Sequence, residues 1–146
     1  MINVRHIVGM KPSSQILSVK PTDRVLDVAQ MLAKHRIGAV IVSRDGAIVD
    51  GILSERDIVR ALGSRGPGVL EERAQDLMTQ SVVGCKPEDP AIDVLEKMTE
   101  GRFRHMPVIE ANRMVAVISI GDVVKARIQE IQHENAALTD MISNSW

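Results

Sequence analysis

Two short segments of this chain place a hydroxyl and a carboxylate at a spacing that could do chemistry. Each has the form Ser-x-x-Asp, with Ser54 and Asp57 in the first half and Ser119 and Asp122 in the second. At a helix N-terminus, free backbone N–H groups favour an anion, and an Asp carboxylate there can accept both hydrogens of a ribose diol. The same spacing also forms a helix capping box, in which each residue of the pair bonds the backbone N–H of the other. These residues alone leave both interpretations open.

The two segments belong to a longer pattern that occurs twice. The pattern at Arg36–Leu62 returns as Arg102–Arg127, and Pro21 recurs 66 positions later as Pro87. The offset between Ser54 and Ser119 is 65, so the second copy is one residue shorter in the loop before this position. An internal repeat of this kind predicts two similar structural units.

The sequence of the first copy predicts a βαββα unit, and Val4, Ile7 and Val8 before it predict a short amphipathic turn or helix. Apolar residues at i, i+3, i+4 and i+7 indicate one buried helix face, and a continuous β-branched run indicates a buried strand. The predicted elements are a strand at Ile16–Val19, a helix from a Thr22 cap to His35, a strand at Ala39–Val42, a tight turn at Asp45-Gly46, a strand at Ala47–Leu53, and a helix at Glu55–Leu62 that stops at Gly63.

The second copy follows a segment rich in glycine and repeats the same order. Glycine and proline at 64–68 predict a linker, which sets the predicted domains at 1–65, 66–68 (linker) and 69–146. The fold class is α/β (α+β). The predicted elements are a short helix at Leu70–Met78, a strand at Val82–Cys85, a helix through Ala91 and Met98, strands at His105–Ile109 and Met114–Ser119, and a helix from Ile120 that extends beyond the second copy.

Composition excludes several classes of function. The chain has 146 residues, a net charge of −1 and only 1% aromatic residues, namely Phe103 and Trp146. Base stacking and attraction to a phosphate backbone are therefore not expected, and we predict no nucleic-acid partner. One cysteine, Cys85, excludes an internal disulfide and fits a reducing compartment. With no apolar run long enough to span a bilayer, we predict a cytoplasmic protein without a membrane partner.

Catalytic and metal-binding patterns are not found in the sequence. The four His residues form no close pair with a carboxylate at metal-ligand spacing, so we predict no metal site. There is no nucleophile elbow and no glycine-rich phosphate loop. We therefore predict that the protein is not an enzyme, with no catalytic residue and no catalytic cofactor.

The order, period and motifs of the two copies resemble a tandem pair of cystathionine-β-synthase (CBS) domains, also called a Bateman module. The residues that carry the resemblance are Lys20-Pro21, Lys86-Pro87, the strand Arg104–Val108, the strand-to-helix turn Gly51–Asp57, and Asp76–Thr79 before the second copy. The resemblance implies two small sheets packed face to face with pseudo-twofold symmetry. It also implies two clefts between the repeats that often bind adenine nucleotides.

In such pairs each cleft combines the strand of one copy with the Ser-x-x-Asp turn of the other. Arg56, or Arg104 and His105, would take the phosphates because Asp57 repels them. One predicted site combines Thr79, Val83, Arg104, His105, Met106 and Pro107 with Ser54, Arg56 and Asp57. The other combines Ser14, Ala39, Val40 and Ile41 with Ser119 and Asp122.

The resemblance implies a stand-alone regulatory module that binds AMP, ADP or ATP and signals to a separate, unidentified protein target. Two alternatives stay open: a sensor of NAD(H) or S-adenosyl ligands, and a ligand-free interaction or scaffold module. The sequence does not identify the adenosine-containing ligand or the target.

The final helix carries a further pattern. Spacings of 4, 3, 4, 3 and 4 are typical of a coiled-coil seam and predict a homodimer. The alternative is a helix that folds back on its own domain. The residues of this seam are Val124, Ile128, Ile131, Asn135, Leu138 and Ile142.

Overall fold

The computed structural model of the chain describes residues 1–11 and 17–144. Two small sheets and surrounding helices form an α+β fold, as the sequence predicts. In chain order the elements are α1 (Val4–Met10), β1 (Ser18–Val19), α2 (Val25–His35), β2 (Ala39–Val42), β3 (Gly51–Ser54), α3 (Glu55–Arg65), a 3-10 helix (Pro67–Glu71), α4 (Ala74–Leu77), α5 (Ala91–Gly101), β4 (His105–Glu110), β5 (Arg113–Ser119) and α6 (Ile120–Asn144).

The chain is organised in two compact units that do not follow chain order. The α3 unit consists of Gln15–Gly84 with Ile109–Val115. The α6 unit consists of Met1–Ser14, Cys85–Val108 and Ala116–Trp146. Each unit thus contains one Ser-x-x-Asp turn. The predicted domain boundaries, which follow chain order, stay a prediction.

The sheet of the α3 unit is built around β2. This strand pairs in parallel with β1 and antiparallel with β3, with Ala39 opposite Ser54 and Val42 opposite Gly51. All four β2 residues are buried, as expected for an apolar central strand. The predicted apolar face of α2 is confirmed, because Val25, Val28 and Leu32 lie in the same core.

The core of the α6 unit joins the N-terminal helix to the second copy. Val4 and Ile7 of α1 are fully buried and pack with Val94 and Met98 of α5 and with residues at the start of α6. Strands β4 and β5 form a two-stranded sheet. The sequence placed α1 before the first copy, whereas its apolar face is buried in the core of the second.

The repeat is visible at the level of single hydrogen bonds. Before α2, the Lys20 N–H donates to Asp23 Oδ2 at 2.9 Å, and before α5 the Lys86 N–H donates to Asp89 Oδ2 at the same distance. Both helices have 11 residues and are followed by a C-cap arginine in the left-handed region, Arg36 and Arg102, with φ of 54° and 55°. Each copy is therefore folded by the same local interactions.

The turn before α2 and the turn before α5 each bond the backbone of a segment that is distant in sequence but belongs to the same unit. In the α3 unit, the Ala74 N–H donates to Asp23 O at 2.8 Å. In the α6 unit, the Val4 N–H donates to Asp89 O at 2.9 Å and the Ala91 N–H donates to Ile2 O at 2.9 Å. These bonds satisfy backbone groups that a short turn leaves open.

Several predicted boundaries in the first copy are wrong. Helix α2 is capped at Arg24 without a side-chain bond, not at Thr22. Strand β3 begins at Gly51, not at Ala47. The tight turn is replaced by a longer loop, in which Asp45 Oδ1 accepts the N–H groups of Ala47 and Ile48. A side chain that bonds its own loop competes with strand pairing there.

The segment between the copies is more helical than its glycines suggest. Helix α3 passes Gly63 and ends at Arg65, and Pro67 and Gly68, predicted as linker, begin a 3-10 helix. Proline suits a first helical position because its N–H would be unpaired there anyway. The predicted helix at 70–78 is divided between that 3-10 helix and α4. The predicted strand at 82–85 is reduced to one bridge, between Cys85 and Val108.

Candidate functional site

The first Ser-x-x-Asp turn connects β3 to α3. Ser54 has extended backbone angles, and its Oγ accepts the Asp57 N–H at 3.1 Å. Asp57 Oδ2 accepts the Ser54 N–H at 3.0 Å. The next amide, of Glu55, donates to Gly38 O at 2.8 Å and ties the turn to the start of β2. A complete capping box therefore fixes the position of the Asp57 carboxylate.

The second turn, from β5 to α6, repeats this geometry. Ser119 Oγ accepts the Asp122 N–H at 3.1 Å, and Asp122 Oδ2 accepts the Ser119 N–H at 2.9 Å. The Ile120 N–H donates to Arg104 O at 2.8 Å, in the place that Glu55 and Gly38 have in the first turn. The predicted capping boxes are thus confirmed in both copies.

A capping box does not exclude ligand binding. Each box uses only Oδ2 of its carboxylate, and Asp57 Oδ1 makes no hydrogen bond to residues 1–11 or 17–144. Asp57 is half-buried at the start of an 11-residue helix. The box therefore holds one oxygen in place and leaves the other open to an incoming hydroxyl. The two interpretations that the sequence presents as alternatives are compatible.

The two turns differ by one cation that the sequence analysis missed. Lys11, directly after α1, donates from Nζ to Asp122 Oδ2 at 2.9 Å and to Val117 O at 2.7 Å. Burial alone would raise the pKa of Asp122, but the hydrogen bonds from Ser119 and Lys11 together hold that pKa below its usual range. No sequence pattern could have revealed this pair, because Lys11 lies outside the repeated pattern.

Next to Asp57, the nearest cation in sequence is Arg56, whose side chain is exposed. The two turns therefore differ in local charge, since Asp122 is paired with Lys11, whereas Asp57 has no ion pair with residues 1–11 or 17–144. An anionic group that approaches the second turn meets an Asp122 carboxylate whose charge is compensated by Lys11.

The other residues predicted for ligand binding in the α3 unit differ in solvent exposure. Thr79 is exposed and pairs through its backbone with Ile52 of β3, which places it beside the strand that leads to the turn. Val83 is 46% exposed. In contrast, Ala39, Val40 and Ile41 are at most 8% exposed. Any ligand contact of these three would therefore come from the backbone.

In the α6 unit, the predicted strand residues change from exposed to buried along β4. Arg104 is exposed and His105 half-buried, whereas Met106 and Pro107 are buried. Arg104 is adjacent to the second turn through its carbonyl bond to Ile120. The predicted partnership of these residues with the Asp57 turn joins different units and stays a prediction. Ser14 lies outside the described residues.

A groove of about 500 Å³ lies within the α3 unit between α2 and α3. Leu32, Ile37 and Ile58 line it, with Arg36 and Val59 at its edge. None of the residues predicted to bind a ligand lines this groove. Glu55, which lies between Ser54 and Asp57, also lines the groove, so the groove adjoins this turn.

Cys85 is a buried cysteine in the core of the α6 unit. Burial raises the pKa of the Cys85 thiol to about 12, so the thiol is protonated at neutral pH and is a poor nucleophile. Across residues 1–11 and 17–144, no three His, Cys, Asp or Glu side chains are grouped so that they could hold a metal ion. In the same ranges, no helix is both long and apolar enough to cross a membrane.

A family model and solved structures both show that this chain is similar to CBS-domain proteins. A family model described as "CBS domain" matches residues 4–64 and 74–129. The crystal structure of the CBS-domain containing protein ATU1752 from Agrobacterium tumefaciens is 40% identical, covers 86% of this chain and 99% of that chain, and superposes with a TM-score of 0.81. The structure of CBSX2 in complex with AMP is 24% identical, covers 88% and 98% of the two chains, and has a TM-score of 0.74.

A curated relative is the CBS domain-containing protein CBSX3, mitochondrial, from Arabidopsis thaliana. It is 31% identical over 128 residues, which are 85% of this chain but only 62% of the relative. The sequence predicts a cytoplasmic location for this chain. Because this relative is named as mitochondrial, that prediction is not confirmed. The two matched segments coincide with the two copies of the internal repeat. The chain therefore belongs to the CBS-domain family and is a tandem pair of CBS domains.

Proposed function

We propose that this CBS pair is a regulatory module that binds an adenine nucleotide, AMP, ADP or ATP, at its Ser-x-x-Asp turns. The observation that carries the proposal is the Asp57 carboxylate, which is fixed through Oδ2 by a capping box and open at Oδ1. A ribose diol needs such a fixed acceptor. A solved relative of the same fold, CBSX2, has been crystallised with AMP.

The proposed contacts follow the chemistry of each side chain. Asp57 accepts the ribose hydroxyl hydrogens, while Ser54 keeps the carboxylate oriented. Arg56 is exposed next to this turn and can pair with a phosphate. Val83 is exposed and apolar, as suits contact with a base. The exposed cation Arg104 belongs to the predicted cleft as a second phosphate contact.

Binding fits these turns better than catalysis. Both copies carry the same pair of side chains in the same geometry, in which each Ser hydroxyl accepts a backbone N–H and is not bonded to a general base that could activate it. A ligand would act through different affinities for two arrangements of the protein. We further propose that the output passes to a separate protein target and that the protein assembles as a homodimer.

The test is Asp57→Asn, with AMP binding measured by isothermal titration calorimetry. Asn keeps a side-chain oxygen that can accept the Ser54 N–H and removes the negative charge near the helix N-terminus, so the free energy of unfolding should fall by only about 0.3–1 kcal/mol. Loss of the charged acceptor should weaken AMP by about 30- to 1000-fold, which corresponds to about 2–4 kcal/mol. The deficit should vanish for a 2′,3′-dideoxy analogue, because that analogue has no diol to donate.

Asp122→Asn is the matched control, since Asp122 has the same capping box but an oxygen shared with Lys11. We expect a smaller loss of AMP affinity from this variant. Parallel titrations with ADP, ATP, NAD(H) and S-adenosylmethionine identify which adenosine compound binds best. Parental AMP affinity in a correctly folded Asp57→Asn protein would limit Asp57 to its capping role and refute the proposal for this turn.

A further inference from the structure

Helix α6 is longer than its unit requires. It has 25 residues, about 37 Å at 1.5 Å per residue. Only its first part contributes to the core, through Val123, Ala126 and Glu130, which are at most 6% exposed. Every side chain from residue 131 to residue 143 is exposed. Residues 131–143 of α6 therefore contribute no buried side chain to the core of the unit.

An apolar stripe follows α6 on a different face from the one in the core. Its apolar members are 40–56% exposed, although Val, Ile and Leu bury readily. Folding back on its own domain, the alternative left by the sequence, does not cover them. We call these residues the α6 stripe: Val124, Ile128, Ile131, Asn135, Leu138 and Ile142.

We infer that the α6 stripe pairs with the same stripe of a second copy, and that the two helices run parallel and in register. In heptad terms, Ile128, Asn135 and Ile142 occupy position a, and Val124, Ile131 and Leu138 occupy position d. A single Asn at an a position specifies the oligomeric state and the register. In a parallel pair, Asn135 meets Asn135 of the second copy, and each side chain satisfies the other.

Charges next to the stripe favour the same orientation. In the parallel pair, Glu134 at position g faces Thr139 of the second copy, and Arg127 faces Gln132 of that copy. An antiparallel pair with full overlap would place Asn135 opposite the apolar Ile131 of the second copy. It would also place Glu134 opposite Glu134 of that copy. A buried amide without a partner and two like charges at close range both disfavour this arrangement.

The short length of the stripe is compensated by the fold. Isolated helices of fewer than about 12–15 residues are marginal because the first turn is costly to form. In this protein the first turns of α6 are already fixed by Val123 and Ala126 in the core. Dimerisation then adds contacts to an existing helix. In a parallel pair, both Ser119–Asp122 turns lie at the same end of the coiled coil, since α6 begins directly after Ser119.

Orientation is tested by disulfide trapping in the full-length protein. A cysteine at Ile128→Cys meets its equivalent only in a parallel pair, because an antiparallel pair separates the two by about ten residues, or 15 Å. Gln129→Cys, one position along on the outer face, is the matched control. The native Cys85 is buried in both variants. Under mild oxidation, we expect Ile128→Cys to form a linked dimer at least about tenfold faster than the control.

Assembly itself is tested with Ile131→Asp combined with Leu138→Asp, which places charge in two exposed positions of the stripe. Light scattering should give a dimer for the parent and a monomer for this variant. The variant should keep the circular dichroism spectrum of the folded chain, because neither residue contributes to the core, and should melt at a lower temperature because it loses the dimer contacts. A monomeric parent, a dimeric charged variant, or equal trapping of the two cysteine variants would each overturn the inference.

Discussion

Replacing Lys11 by methionine should destabilise the α6 unit and change how its stability depends on pH. The Lys11 ammonium makes two bonds, to Asp122 Oδ2 at 2.9 Å and to Val117 O at 2.7 Å. Both side chains of the pair are less than one-third exposed, at 28% and 29%. Methionine keeps most of the aliphatic stem and removes only the charge and its hydrogen bonds.

The expected loss in the free energy of unfolding is about 1–2 kcal/mol. A partly exposed ion pair contributes about 0.2–1 kcal/mol, and the bond to the carbonyl adds about 0.5–1.5 kcal/mol. For a chain of this size, the melting temperature should fall by about 2–8 °C. Urea denaturation followed by circular dichroism measures the loss, and Lys125→Met, at an exposed position of α6, is the control.

The pH dependence follows from the direction of the Asp122 shift. Hydrogen bonds from Ser119 and Lys11 outweigh the effect of burial and lower the pKa of Asp122 in the folded protein. The stability from this charge is therefore present above the unfolded pKa of about 3.9 and is lost as pH falls through the folded pKa. The difference between parent and Lys11→Met should thus be full at pH 6–7 and shrink towards pH 3.

A double-mutant cycle that combines Lys11→Met with Asp122→Asn measures the interaction between Lys11 and Asp122. The capping box cancels in this cycle, because Asp122→Asn changes it equally with and without Lys11. We expect a coupling energy of about 0.5–1 kcal/mol at neutral pH. A coupling within about 0.3 kcal/mol of zero, together with a pH profile identical to that of the parent, would refute the reasoning.

The remaining predictions concern a buried carboxylate and a crowded glycine. The Ile2 N–H and the Arg127 guanidinium lower the pKa of Glu130 despite its burial, so Glu130→Gln should lower stability by about 1–2 kcal/mol at pH 7. Urea denaturation should show this deficit vanish below the folded pKa, and a constant deficit would contradict the assignment. Gly51→Ala would place Cβ 2.6 Å from Met78 Sδ and should cost about 1–3 kcal/mol. Gly121→Ala, with space at its site, should be neutral or gain up to about 1 kcal/mol, and equal effects of the two would refute the packing argument.

The sequence predicts well those features that depend on near neighbours. The internal repeat, the two buried helix faces and both capping boxes were predicted, and the structure confirms them. The reason is that helix periodicity and a Ser-x-x-Asp cap involve residues within one or two turns of each other. The predicted CBS pair is confirmed by the family match to residues 4–64 and 74–129.

Loop conformation was predicted less well because several local interactions compete. The Asp45-Gly46 pair suggested a tight hairpin, yet Asp45 bonds the amides of Ala47 and Ile48, and β3 begins only at Gly51. The glycines at 63–68 suggested a linker, yet α3 continues to Arg65 and a 3-10 helix follows. Glycine permits a break in a helix but does not require one.

Only the tertiary structure determined which segments join which unit and what surrounds each carboxylate. Helix α1 belongs with the second copy and α4 with the first, because each supplies backbone partners to the turn before a helix in that unit. The same placement brings Lys11 to Asp122, a residue 111 positions away. The two turns thus have the same sequence pattern but different charges near their carboxylates. A pairing over that distance depends on how whole elements pack and not on local periodicity.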